Sequence, residues 1–167
     1  MPATYEPIAT TTLGADAPNI IFSSIPGTYT DLRLVLSNLT GTVVSPNILV
    51  EFGPSAGATT SFHRLSTNGS TVASDQASNS SAVLGIRGTS DTRPLFAFLD
   101  IFSYSSTSLH KLSIGQCAED YATDGGSVSQ TVGMWKSLSA ITSLTIFPGG
   151  GNLKTGTTAT IYGIKAA

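Results

Sequence analysis

Polar and apolar residues alternate along Asp31-Leu32-Arg33-Leu34-Val35-Leu36-Ser37, which places three leucines on one face of an extended segment. The stretch from Ser127 to Met134 repeats the arrangement, with Val128, Val132 and Met134 as its apolar side. Both patterns predict strands buried on one face, the leucine face in the first and the valine–methionine face in the second. Further runs rich in β-branched and aromatic residues lie at Ile8–Leu13, Ile20–Ile25, Ile48–Phe52, Ser61–Leu65, Ala82–Ile86, Leu95–Tyr104, Leu109–Ile114, Ile141–Phe147 and Thr157–Ile164. Together they predict about eleven strands. Apolar residues at helical spacing occur only in short stretches, around Trp135–Ile141 and Ala118–Ala122. Turn formers cluster between the runs, at Pro26-Gly27, Gly53-Pro54, Asn68-Gly69, Gly125-Gly126 and from Pro148 to Asn152.

Many short strands with no long helices between them predict an all-β fold, an antiparallel two-sheet sandwich of jelly-roll-like form with about ten or eleven strands. Leu95-Phe96-Ala97-Phe98-Leu99-Asp100-Ile101-Phe102 is apolar on both faces. Such a segment is either a central strand or one whose outer face meets a partner subunit. The hydroxyl-rich stretch from Ser66 to Ser81 predicts a long exposed loop, pinned by Val72. No internal repeat or change of composition divides the chain, so residues 1–167 are expected to form a single domain, with residues 1–7 as an extended N-terminal arm.

Composition narrows the partners. Charged residues make up 11% of the chain and the net charge is −2, so no basic field exists to collect phosphates and nucleic acid is not expected as a partner. Hydrophobic residues reach 40%, yet the best uninterrupted apolar run, Leu95–Leu99, is far too short for a membrane helix. No membrane association is expected. Cys117 stands alone and cannot form an intramolecular disulfide or a cysteine-based zinc site. The opening Met1-Pro2-Ala3-Thr4-Tyr5-Glu6 lacks the basic and apolar regions of a secretory signal, so an extracellular destination implies lysis, a specialised route or a particle.

Candidate chemistry is sparse. His63 and His110 both fall in expected strands without a nucleophile elbow or other catalytic setting, and the reading is surface histidines. Glu119, Asp120 and Asp124 precede Gly125-Gly126 and raise the question of calcium, but they fit no EF-hand spacing and read as solvated loop carboxylates. Glu51 and Asp100 are the pair to test for glycoside hydrolysis, against a simpler role facing outward or pairing with Arg33, Arg87 or Arg93. Trp135, Tyr104, Tyr121 and Tyr162 would make a sugar-stacking platform only if exposed together. The expectation is no catalytic residue, no cofactor and no metal site.

Three stretches carry a resemblance. They are Tyr5-Glu6-Pro7-Ile8-Ala9-Thr10-Thr11-Thr12-Leu13, the segment from Ile21-Phe22-Ser23-Ser24-Ile25-Pro26-Gly27 to Leu34, and a C-terminal part from Trp135-Lys136-Ser137 through Ile146-Phe147-Pro148 to Ile161-Tyr162-Gly163-Ile164-Lys165. Together they resemble small β-rich virion proteins and fibre-terminal domains of tailed bacteriophages. The resemblance implies a virion component, non-enzymatic, located on the capsid exterior or the tail. Two roles follow from it. One is a decoration, or cement, protein, most often a homotrimer, bound to the major capsid protein or other virion proteins. The other is a receptor-binding module of a tail fibre or tail tip that recognises host-surface glycan. Without a shaft or coiled-coil heptads, the chain fits the decoration role better.

Overall fold

The computed structural model describes residues 5–43, 45–54, 60–67, 70–80, 83–89, 93–119 and 126–165. Twelve strands follow one another: β1 (Tyr5–Thr12), β2 (Ile20–Phe22), β3 (Asp31–Leu39), β4 (Ser45–Gly53), β5 (Thr60–Thr67), β6 (Val72–Ser80), β7 (Val83–Thr89), β8 (Leu95–Phe102), β9 (Lys111–Glu119), β10 (Ser127–Trp135), β11 (Ser143–Pro148) and β12 (Thr158–Ile164). They form an eight-stranded sheet in the order β1-β12-β3-β8-β9-β10-β5-β6 and a four-stranded sheet in the order β2-β11-β4-β7. All pairings are antiparallel. The all-β, two-sheet, jelly-roll-like expectation holds. Strands β2 to β8 with β11 take the jelly-roll arrangement, in which most neighbours in a sheet, β5 and β6 excepted, are not consecutive in sequence, and the hairpin β9–β10 is inserted between β8 and β5. Strands β1 and β12 extend the large sheet at its other end.

The hydrophobic core sits where alternation meets alternation. Leu32, Leu34 and Leu36 of β3, Leu95, Ala97, Leu99 and Ile101 of β8 and Ile161 of β12 point inward from the large sheet. Ile20 and Phe22 of β2, Ile48, Val50 and Phe52 of β4 and Leu144 and Ile146 of β11 meet them from the small one. Burying a side chain of this kind stabilises the fold by roughly 1.5–3 kcal/mol, which explains why the two-residue period survives in every one of these strands.

The structure differs from the sequence reading at several points. Residues 72–80, expected within an exposed loop, are strand β6, paired along its length with β5. Backbone hydrogen bonds need no apolar side chains, and Asp75 opposite Arg64 adds a two-pronged ion pair to that edge. Val128, Val132 and Met134 lie on the solvent side of β10, while Ser127, Ser129, Thr131 and Gly133 are buried. That is the opposite of the expected polarity. Of the residues expected as an N-terminal arm, 5–7 belong to β1 and pair with β12, and 1–4 lie outside the described residues. Neither short helical candidate forms a helix among the described residues: Trp135 closes β10, residues 136–142 are irregular, and Ala118 lies in β9.

A small cluster ties the first and last strands to the loop before β3. Gly163 of β12 lies under the Tyr29 ring, so closely that an added Cβ would land inside it. The Tyr29 hydroxyl donates to Glu6 Oε2 at 3.1 Å, and Lys165 Nζ lies 3.2 Å from both Glu6 oxygens and 5.2 Å from the Tyr29 ring centre. Below it the fully buried Tyr104 donates its hydroxyl proton to the Pro26 carbonyl and accepts the Tyr29 N–H at 3.3 Å. Gly163→Ala is expected to lift Tyr29 off the strand and cost about 1–3 kcal/mol, read from urea unfolding midpoints.

Both phenols are held above the ordinary value of 10.0, Tyr29 first by its hydrogen bond to Glu6 and Tyr104 by burial. The folded chain therefore keeps these protons at pH values where the unfolded chain has lost them. The stability they contribute is full below pH 10.0 and is lost as pH rises through the raised values. In an absorbance titration of the folded protein Tyr29 and Tyr104 are expected to ionise above pH 10.0. Tyr104→Phe is expected to flatten the alkaline fall in melting temperature.

Candidate functional site

Among the described residues, the outer face of the large sheet gathers most of the exposed large apolar side chains. Strand register arranges its side chains in rows that run across β8, β9, β10, β5 and β6. The first row is Phe96, Ala118, Val128, Thr67 and Val72, and the second is Phe98, Gln116, Gln130, Leu65 and Ser74. The third row is Asp100, Ile114, Val132, His63 and Gln76, and the fourth continues with Phe102, Leu112, Met134 and Ser61. Phe96, Leu112, Val128, Val132, Met134, Leu65 and Val72 are between 38% and 72% exposed. Seven large apolar side chains left this open on one sheet face make a patch rather than the scattered exposure common to soluble proteins.

The first two rows form a groove of about 530 Å³, with Phe96 and Phe98 on one side, Leu65, Thr67 and Val72 on the other, and Gln116, Gln130, Ala118 and Val128 on its floor. Its chemistry is hydrocarbon and aromatic surface with two primary amides, each able both to donate and to accept a hydrogen bond. Cys117 and Ser129 also border it, but their side chains are turned inward, where sulfur and hydroxyl lie 2.9 Å apart.

The hairpin β9–β10 produces this surface because it is inverted. Its inward residues Ser113, Gly115, Cys117, Ser129, Thr131 and Gly133 are small, and β7 of the other sheet packs on β9, β10 and β5. Its larger apolar residues are displaced outward. Leu95–Phe102 complements it: Leu95, Ala97, Leu99 and Ile101 fill the core while Phe96, Phe98 and Phe102 join the outer face, so both faces of that strand are apolar as the sequence suggested.

The residues singled out from sequence do not converge. His63 is exposed in the third row, and His110 is exposed just before β9. Glu51 faces outward from the small sheet, between the buried Val50 and Phe52, while Asp100 lies on the outer face of the large sheet. The core separates the two carboxyl groups, so they cannot act on one glycosidic bond. Asp100 instead takes both prongs of Arg33, at 2.5 Å and 2.6 Å, and Arg33 also lies 5.0 Å over the Phe98 ring. The Arg87 side chain lies outside the described residues, and Arg93 is half-buried. Trp135 and Tyr104 are core residues, Tyr162 packs edge-on to Tyr5 at 6.3 Å, and Tyr121 lies outside the described residues, so the described aromatic residues make no shared sugar platform. The Glu119 side chain and residues Asp120 and Asp124 also fall outside them. Among the described residues no three His, Cys, Asp or Glu side chains meet as a metal site.

Sequence reasoning missed the groove. Its one legible signal was the doubly apolar run at 95–102. No protein-family model matches the chain, and no curated protein sequence matches it.

Proposed function

We propose that this chain is a non-enzymatic structural protein of a phage virion, a decoration protein that binds the capsid exterior as a homo-oligomer and strengthens the shell. The observation that carries the reading is the broad, nearly uncharged apolar face on a sandwich of jelly-roll-like form, a surface suited to protein contact. Two further points support it. The segments that resemble phage virion proteins fall mostly in β1, β12 and the start of β3, neighbours in the large sheet, and in β2 and β11, neighbours in the small one, while Trp135 closes β10. Jelly rolls are also frequent in capsid proteins, an analogy of fold rather than of site.

A protein that binds only the assembled lattice stabilises it by mass action, and an oligomer gains effective concentration at each contact after its first. Particles lacking the protein are therefore expected to assemble but to rupture at lower temperature or under milder osmotic shock than intact ones. Equal robustness with failure to adsorb to host cells would overturn the decoration role and establish the receptor-binding one. That second reading has its own support in the groove, where the faces of Phe96 and Phe98 and the amides of Gln116 and Gln130 match the apolar and hydroxyl faces of a sugar.

A further inference from the structure

The inverted hairpin identifies what covers the apolar face. We infer that the outer face of β8, β9, β10 and β5 is where copies of this chain join, and that its occupant is a second copy of the same face. The inference rests on the reading that this face is a protein contact, and it names the partner.

Three observations select the second copy. The first is polarity. In β10 the period-two pattern marks Val128, Val132 and Met134 as an apolar side, yet the single chain leaves them exposed and buries Ser127, Ser129 and Thr131 instead. A second sheet laid on this face at the usual ~10 Å spacing removes the valines and the methionine from water, so both sides of the strand become interior.

The second observation is area. The seven exposed apolar side chains leave on the order of 600 Å² in water. With half-buried Phe98, Phe102 and Ile114 and the two glutamines added, the face approaches the ~800 Å² per partner of a standard protein interface.

The third is charge. Across the four rows the one acidic residue is Asp100, and Arg33 neutralises it with two hydrogen bonds. A face meeting its own copy sets like against like, which a lysine or carboxylate cluster would forbid. Here the polar groups at the centre are the amides of Gln116 and Gln130, which face each other across β9 and β10. An amide both donates and accepts, so it can pair with its own copy. Apart from His63 near its edge, the prominent groups on the face are thus self-complementary, and the face carries no cluster of cations to hold a phosphate or an acidic peptide.

The test is the mass of the full-length protein in solution by sedimentation and light scattering over a range of concentrations. A face that meets its own copy closes a twofold pair, so wild type is expected to be a dimer at micromolar concentration. Val132→Glu and, separately, Val128→Lys are expected to weaken association about a hundredfold, because each sets an unpaired charge in a desolvated contact. Circular dichroism should remain that of a folded β protein in both, since the substituted side chains point to solvent in the single chain. Ile21→Glu, at an exposed position on β2 of the other sheet, is expected to leave the mass unchanged. A monomeric wild type at ~100 μM, far above the dissociation constants of specific complexes, would overturn the inference. So would a multimer broken by Ile21→Glu but untouched by the two valine substitutions. If the wild type is monomeric yet particles lacking it rupture early, the inference fails while the decoration role stands.

Discussion

Trp135→Ala is expected to be the most damaging single substitution in the described fold, costing about 3–5 kcal/mol. Trp135 is the largest fully buried side chain and closes β10 at the point where the inverted hairpin joins the hydrophobic core. Its indole meets Phe52 of β4 edge-on, with ring centres 5.9 Å apart, so it links the large sheet to the small one. Apart from Cys117 and from Lys111, whose ammonium is held by three carbonyls, the inner faces of β9 and β10 offer hydroxyls and glycines, so little side chain there is free to fill the space an alanine leaves. Urea unfolding followed by circular dichroism measures the loss. A cost under about 1.5 kcal/mol, the range of a tolerated core swap, would mean that the sheets collapse onto the vacancy.

Lys111→Met is expected to destabilise the protein by about 3 kcal/mol, although it removes a buried charge. Lys111 is fully buried at the start of β9, and its ammonium donates to the carbonyls of Ser106, Leu109 and Ser137 at 2.6, 2.9 and 3.3 Å. Its three protons thus meet three acceptors, and the Trp135 ring lies 5.6 Å away. Burial pulls the pKa of this lysine below its ordinary 10.5, the mark of a charge held out of water. The carbonyls belong to the turn after β8 and the segment after β10, so the ammonium fastens two loops that no strand pairing joins. Methionine fills much of the volume but leaves three acceptors without a donor. Because Lys111 and Trp135 touch, the double variant is expected to lose less than the sum of the single ones. Full additivity in a double-mutant cycle would show that the indole does nothing for the ammonium.

The amino-acid sequence alone determined that the chain is all β. Period-two alternation, β-branched enrichment and turn residues are local signals, and eleven of the twelve strands answer to runs that carry them. It also marked 95–102 as apolar on both faces, because that property is written in consecutive residues. Strand β6 escaped, since Val72–Ser80 is polar on both sides and is held by its backbone and by Arg64.

Tertiary structure alone decided which face of 127–134 turns inward. Alternation divides a strand into two faces but does not say which one meets the core, and here the close approach of β7 favoured the small hydroxyl face. The same holds for the groove, whose walls come from β8 and from β5 and β6, brought together only by the inserted hairpin. It holds for Asp100, which pairs with Arg33 through register, and for Lys111, whose three acceptors lie on two separate loops. Each of these depends on at least one contact between residues far apart in the chain, and such contacts leave no periodic trace in the sequence around either partner.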